Sequence, residues 1–414
     1  MVPSRAMTTE FRPSMPSQPL TGLRIVDLTQ VFVGPYCSYL LGLLGAEVIK
    51  VELPAGEWSR TQGPPGPARD AGLAAGFATQ AGGKRMLAVD IRTPQGADIL
   101  RDLLCTADVF VENLTPGTIS HFGFDEDSLR ALNPRLVFAS ISGFGQTGPF
   151  AGWPAFDHII QAVSGLMSVT GTRQAAPLRV GPPVVDYATG AYAAFAVMAA
   201  LAQRALDGLF QRVDLSMWDC AQALMSSTIS AHLNAGVTPR PEGNVAASGS
   251  PSSGVFDTAD GKLALAANFE PQYRRLCIAL GRDDLLTDPR FAERPTRLLH
   301  ADALRTELSA TLATRPARVW ETLLMDADVP AGRVRTIPEA VAEPHTAARG
   351  VWHSVGAGQG TPMTLPGVPF RLNGSVPGPS AAPLGVGENT DSVLLALGRS
   401  AEQIAALRRD GVVR

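Results

Sequence analysis

The sequence predicts an α/β protein: an open, parallel, Rossmann-like sheet with helices on both faces, joined to a smaller α+β domain. Three observations carry this. Short β-branched, apolar runs alternate with helical segments through the first half of the chain. The helical segments between them are long enough to cross over, as parallel strands require. A stretch dense in Pro, Gly and Ser, 239–253, then separates this half from a second compositional unit.

Taken in order, Ile25 to Leu28 and Glu47 to Val51 read as strands around a helix from Tyr36 to Leu44, a β-α-β unit. Helix, strand, helix and strand follow at Pro94 to Leu104, Val109 to Glu112, Ser128 to Leu132 and Leu136 to Ile141. Val184-Val185 reads as the end of a buried strand, and Gly190 to Leu201 as an alanine-rich helix. Gln211 to Leu215 is one more strand, with a long helix from Trp218 to Leu233 behind it. Val255-Phe256 and Leu263 to Ala267 form a hairpin, and a last helix spans Ser400 to Arg408. The domain plan is a disordered N-terminal extension over 1–19 and a large domain over 20–210. A linker helix over 211–240, a small α+β domain over 241–333 and a return segment over 334–414 complete it.

With 414 residues the chain is long enough for two cores. A net charge of −3 gives no electrostatic reason to expect nucleic acid. Cys37, Cys105, Cys220 and Cys277 are scattered without C-x-x-C spacing, so they read as buried thiols of a reducing compartment. The six histidines are equally dispersed, which argues against a metal site. No window has the length of a membrane-spanning helix without a charge or turn residue, so a soluble, cytoplasmic protein is expected, with no membrane partner. The strand-helix repeats lack G-x-G-x-x-G, so a dinucleotide is not indicated.

One carboxylate stands out. In Arg179-Val180-Gly181-Pro182-Pro183-Val184-Val185-Asp186-Tyr187, Asp186 falls at a turn before the small-residue helix, where it can face a cleft or serve as an ordinary N-cap. Upstream lie Ser140-Ile141-Ser142-Gly143-Phe144-Gly145 and Phe156-Asp157-His158. Leu20-Thr21-Gly22-Leu23-Arg24-Ile25-Val26-Asp27-Leu28, Val33-Gly34-Pro35 and Leu44-Gly45-Ala46-Glu47-Val48-Ile49-Lys50-Val51-Glu52 stand near the start, and Glu388-Asn389-Thr390-Asp391 near the end. In order and spacing these stretches resemble the class III CoA-transferases, the CaiB/BaiF and formyl-CoA transferase-like family, from about Leu20 to about Leu397.

The resemblance implies an acyl-CoA:carboxylate CoA-transferase, an interlocked homodimer, and an acyl-CoA and a carboxylic acid as the molecules it meets. CoA is then a substrate, and no cofactor is bound permanently. Asp186 would be the nucleophile, forming an acyl-aspartyl anhydride and then an aspartyl-CoA thioester; an unperturbed aspartate is already ionised at neutral pH. Phe32, Val33, Val89, Asp90, Ile91, Arg92, Asn113, Leu114, Thr115, His121, Ser142, Gly143, Phe144 and Gly145 fall on CoA-contacting positions. Glycines allow close backbone approach and Arg92 can pair with phosphate, whereas an aromatic such as Phe32 after a strand is usually core. Leu53 stands where formyl-CoA transferase has a basic CoA contact and His121 replaces an arginine, so Lys84, Arg85 or Arg60 are candidates to compensate. Gly249, Ser250 and Pro251 lie in a flexible, serine-rich segment that falls where the family has a closing lid, and that also reads as a plain linker.

The alternative on the same fold is an α-methylacyl-CoA racemase, which pairs the aspartate with a histidine and a glutamate. Its histidine would stand at Phe156, and His158 two residues on would point elsewhere. A small acyl donor such as succinyl-CoA is the favoured substrate, with Arg173 or Arg179 as partners for its free carboxylate.

Overall fold

The computed structural model describes residues 18–246, 248–356 and 362–414. All but Gln18 and Pro19 of the N-terminal extension therefore lies outside the described residues. The chain divides into two compact units. Of the described residues, the first takes those within 18–166, 180–231 and 349–414; the second takes those within 167–179 and 232–348. The small unit thus begins near 232 and ends near 348, and it also claims 167–179, which the sequence reading left in the large domain.

The large unit is built on six parallel strands, β1 (Arg24–Leu28), β2 (Glu47–Glu52), β3 (Arg85–Ala88), β4 (Val109–Glu112), β5 (Val137–Ser142) and β6 (Gln211–Ser216). Their order is β3-β2-β1-β4-β5-β6. The strand read over Gln211 to Leu215 is thus the edge strand β6, and the linker helix of the domain plan starts only after it. β1 to β5 are almost wholly buried, as a sheet covered on both faces requires.

Helices α1 (Val33–Leu43), α2 (Pro67–Asp70), α3 (Ala75–Ala78), α4 (Pro94–Cys105), α5 (Thr118–His121), α6 (Glu126–Leu132), α7 (Asp157–Val163) and α8 (Val184–Asp207) belong to this unit. One core packs Ile99, Leu100, Leu103 and Leu104 of α4 and Leu129 of α6 on the sheet. A second packs Cys37 and Leu41 of α1 and Ala193 and Val197 of α8. α1 and α8 touch closely at Gly190, where a Cβ would come within 2.7 Å of the Val33 carbonyl oxygen.

Local signals mislead at three places. Val184 and Val185 open α8 instead of ending a strand, so Asp186 lies within the first helical turn. The helix read over Trp218 to Leu233 breaks at Met225 into α9 (Met217–Leu224) and α10 (Ser226–Ala235). Cys105 is exposed because it follows the apolar stripe of α4 without belonging to it, while Cys37, Cys220 and Cys277 are buried. By length and composition α8 is a 24-residue helix apolar enough to cross a membrane, its uncharged run bounded by Asp186 and Arg204; one of its faces is core, packed on α1 and the sheet.

The small unit holds an antiparallel sheet of β7 (Ser253–Asp257), β8 (Lys262–Ala266) and β9 (Ala331–Arg333). It packs on helices Glu270–Leu280, Ala301–Leu312 and Ala317–Asp326, with Trp320, Tyr273 and Phe291 at its centre. The antiparallel pair β10 (Trp352–Val355) and β11 (Met363–Pro366) belongs to the large unit.

Candidate active site

The sheet order puts β1 and β4 side by side although β2 and β3 intervene in sequence. The connections leaving their carboxyl ends therefore run to opposite sides and open a crevice, the usual ligand position in such sheets. A cavity of about 330 Å³ occupies it, walled by residues that leave the ends of four strands: Thr29 and Gln30 after β1, Glu52 and Leu53 at β2, Val89, Ile91 and Arg92 after β3, and Leu114 after β4. Four sequence-predicted CoA contacts, Val89, Ile91, Arg92 and Leu114, thus meet in one place.

The cavity's acids are neutralised. Glu52 is held by Arg60 at 2.5 and 2.8 Å, and Glu57 by Lys50 at 2.7 Å. Arg60 and Lys84, read as candidate phosphate ligands, are instead buried structural cations. Lys84 Nζ binds Asp27 Oδ2, Ser38 Oγ and the Pro35 carbonyl at 2.8–2.9 Å. Burial alone would raise the Asp27 pKa; Lys84 and Lys50, with hydroxyls of Ser38 and Thr29, bring it down to about 2. Arg85 pairs with Glu47. Arg92 bridges to Asp90 at 2.7 Å with its side chain 61% exposed, so its guanidinium stays within reach of a phosphate. Trp58, exposed at the cavity wall beside Leu53, is an aromatic face the sequence reading missed; an exposed Trp in a Gly/Pro-rich stretch was the available signal.

Other predicted contacts go elsewhere. Asn113 grips the Gln30 peptide, accepting from its N–H at 2.8 Å and donating to its carbonyl at 2.9 Å. Thr115 and His121 are exposed, His121 ending α5 against Phe122, itself a cavity residue. Ser142 to Gly145 lie at the end of β5, outside the cavity wall. Ser142 Oγ accepts the Gly145 N–H at 3.0 Å, Gly143 packs on Ala155, and Phe144 sits among Phe150, Trp153 and Trp218.

Asp186 stands at the first turn of α8, the helix that carries the chain back from the β5 side of the sheet towards β6. Its start is set by a remote cap. Asp157 Oδ2 accepts the N–H groups of Val185 and Asp186 at 2.8 and 3.1 Å. Gln161 Nε2 donates to Asp157 Oδ1 at 2.5 Å, and Gln161 Oε1 accepts the Val180 N–H. Two of the orphan donors of the helix are thereby satisfied from a segment nearly thirty residues upstream. Asp186 is buried, 8% exposed. Burial first, and the Asp157 charge second, push its carboxyl up to about 7, against the sequence expectation of an unperturbed, fully ionised aspartate.

Aromatics close the neighbourhood. Tyr187 meets Tyr36 edge-on at 4.9 Å and Phe32 at 6.2 Å, so Phe32 and Val33, at the mouth of α1, flank the Asp186 turn and not the cavity. His158 is exposed and stacked on Phe156. Among the described residues no cluster of three or more His, Cys, Asp or Glu side chains is close enough to hold a metal.

In the small unit the serine-rich segment is hydrogen-bonded to the strand end that follows β8. Ser252 Oγ donates to the Ala267 carbonyl at 2.7 Å, Ser253 Oγ accepts the Ala267 N–H at 2.9 Å, and Ser250 and Pro251 are buried; Ser248 and Gly249 stay exposed at its tip. Arg173 spends its charge on Glu242 at 3.1 Å.

Comparison with known proteins bears on this arrangement. The sequence matches CoA-transferase family III over residues 20–390. It is 38% identical to the succinate–glutarate CoA-transferase of Agrobacterium fabrum over 84% of this chain and 88% of that one. It is 34% identical to the acetyl-CoA:oxalate CoA-transferase of Acetobacter aceti over 88% of this chain and 92% of that one. The crystal structure of a CaiB/BaiF family protein from Brucella suis superposes with a TM-score of 0.82 at 32% identity, covering 92% of this chain and all of that one. The crevice at the sheet's switch point, the buried aspartate at the mouth of α8 and these matches converge: the chain belongs to CoA-transferase family III.

Proposed function

We propose that this CoA-transferase moves CoA between an acyl-CoA donor and a free carboxylate with Asp186 as the covalent carrier. The observation that carries the reading is the buried Asp186 carboxyl, made more basic by its surroundings, in the first turn of α8.

In its ionised form an Asp186 oxygen attacks the thioester carbonyl carbon; the C–S bond breaks and the CoA thiolate leaves. The thiolate then attacks the aspartyl carbonyl of the anhydride, and the donor acid departs as a carboxylate. The acceptor carboxylate attacks the aspartyl-CoA thioester and expels the thiolate again. Attack of that thiolate on the acceptor carbonyl releases the new acyl-CoA and restores Asp186. No proton is consumed overall. A raised pKa makes the ionised carboxylate the better nucleophile, and burial keeps water from the hydrolysable intermediates.

The crevice would hold the CoA nucleotide, with Arg92 for phosphate and Trp58 for adenine. A dicarboxylate substrate such as succinyl-CoA is supported by relatives named for succinate, glutarate and oxalate. A homodimer is supported by large apolar side chains left exposed on the unit that carries the site, among them Phe156, Phe195, Leu206 and Leu224. Buried free thiols suit a reducing compartment such as the cytoplasm.

The test is to incubate the protein with succinyl-CoA or acetyl-CoA and a panel of acids, follow new thioesters by mass spectrometry, and trap the enzyme with borohydride or hydroxylamine. A modified Asp186, and loss of exchange in Asp186→Ala with CoA binding kept, is the expected result. A label elsewhere, or deuterium exchange at an α-methyl centre without CoA transfer, would overturn it.

A further inference from the structure

Val31 has φ +68°, the left-handed region, and it is the β-branched member of the few non-glycine residues found there among those described. A branched side chain disfavours that conformation strongly, and such strain persists where neighbouring contacts over-determine the backbone. The contacts are on the page. Before Val31, the Thr29 N–H is taken by Asp27 at 3.0 Å and the Thr29 carbonyl by Lys50 at 2.7 Å. After it, Lys84 holds the Pro35 carbonyl at 2.9 Å. Between these anchors one side chain grips the turn: Asn113, engaging both the N–H and the carbonyl of Gln30.

We propose that Asn113 is a positioning residue for the transfer site. Its amide fixes the Gln30 peptide, which keeps Val31 left-handed and so keeps Phe32 against Tyr187, the residue next to Asp186. The inference rests on the reading of Asp186 as the nucleophile. It gives Asn113 a different task from direct contact with CoA, since both ends of its amide are already engaged within the protein. The turn connects the two halves of the site: Thr29 and Gln30 wall the cavity and Phe32 meets the aromatic next to Asp186. Because Asp27 and Lys50 anchor Thr29 independently, loss of Asn113 frees Gln30 and Val31 and lets the Phe32 ring shift about its remaining tie to α1, the Tyr36 N–H on its carbonyl at 2.9 Å, while the cavity wall at Thr29 stays.

Steady-state kinetics on the full-length enzyme separate the two tasks. Asn113→Ala should lower kcat by about ten- to a hundredfold, the scale of a small misplacement near reacting atoms. KM for acyl-CoA should stay within about threefold, because ground-state binding is not what is lost. Glycine adopts φ +68° without strain, so adding Val31→Gly to Asn113→Ala should recover several-fold of the lost kcat. Asn113→Asp, which keeps the acceptor for the Gln30 N–H and loses the donor, gives the same comparison should the alanine variant fold poorly. A raised KM with unchanged kcat, an unchanged kcat, or no recovery with glycine would each overturn the proposal. Asp186→Ala is measured alongside. If it retains turnover, the nucleophile reading itself has failed; if it is inactive and the Asn113 series gives an overturning result, only the positioning role is lost.

Discussion

Asp157 and Asp186 are bound into one helix mouth: the carboxylate of the first accepts the backbone N–H of the second at 3.1 Å while its charge repels the second's side chain. One residue thus builds the platform for the proposed nucleophile and tunes it. The buried neighbour takes the consequence of that charge, added to its own burial, as a raised affinity for its proton.

The first expectation concerns stability and pH. An unfolded aspartate titrates near about 3.9, whereas folded Asp186 titrates at about 7. Between those values the folded chain holds a proton that the unfolded chain has lost, so this group's contribution falls as pH rises through the window. The total change is at most about 4 kcal/mol for an isolated shift of this size. Asp186→Asn removes the effect, so its melting temperature should exceed that of the parent at pH 8 and approach it near pH 4. A gap that does not narrow on acidification would count against the raised pKa.

A second expectation follows from the cap. Asp157→Asn keeps an acceptor for α8 but deletes the charge, so the Asp186 pKa should fall and the acidic limb of the kcat profile should move to lower pH. Asp157→Ala also removes the cap and should cost roughly 1–2 kcal/mol of stability. Rate measurements from pH 5 to 9 with parallel melts separate the two effects; an unmoved acidic limb in Asp157→Asn would show that Asp157 does not tune its neighbour.

Arg92 offers a test of the crevice. Arg92→Ala should raise KM for acyl-CoA up to about tenfold, the scale of one lost phosphate contact, with kcat nearly unchanged. The parent's KM should rise with salt more steeply than the variant's. Trp58→Ala should raise KM without altering that salt dependence. Equal salt slopes in the Arg92 variant and the parent would remove Arg92 from the phosphate site.

The buried Lys84–Asp27 pair makes a fourth case. Lys84→Met takes the paired ammonium from the buried Asp27 carboxylate, leaving it the Ser38 and Thr29 hydroxyls and the charge of Lys50, and should destabilise the protein by about 3–5 kcal/mol. Replacing both, with Asp27→Asn, should recover part of that loss. Denaturant melts of the two single variants and the double variant measure the coupling, and additive losses would show that the pair is not an energetic unit.

Much of this was legible in the sequence, and the illegible parts share a cause. Ile25 to Leu28 and Val109 to Glu112 declare themselves as strands because β-branched apolar runs between turn signals have few other uses. The start of α8 does not, because its cap comes from Asp157, and a pair of valines after two prolines reads locally as extended chain. Charge was misread for a similar reason: Lys84 and Arg60 look like surface cations until the fold brings Asp27 and Glu52 against them. Asp186 could be picked out, yet its altered proton affinity could not, since that depends on which acid folding sets beside it. Asn113 shows the converse, where a position chosen for its ligand chemistry proves to hold backbone.

β3 borders its sheet, and its outer flank is met by chain made more than 300 residues later. The Met86 and Ala88 N–H groups donate to Asn389 and Thr390 side chains, and the Arg414 N–H reaches the Ala88 carbonyl. While the polypeptide is being synthesised, that rim stays bare through all the intervening translation, and a bare rim invites pairing with strangers. A heavy demand on chaperones during production, and inclusion bodies from messages cut short before position 389, would be the cellular cost of closing the sheet so late.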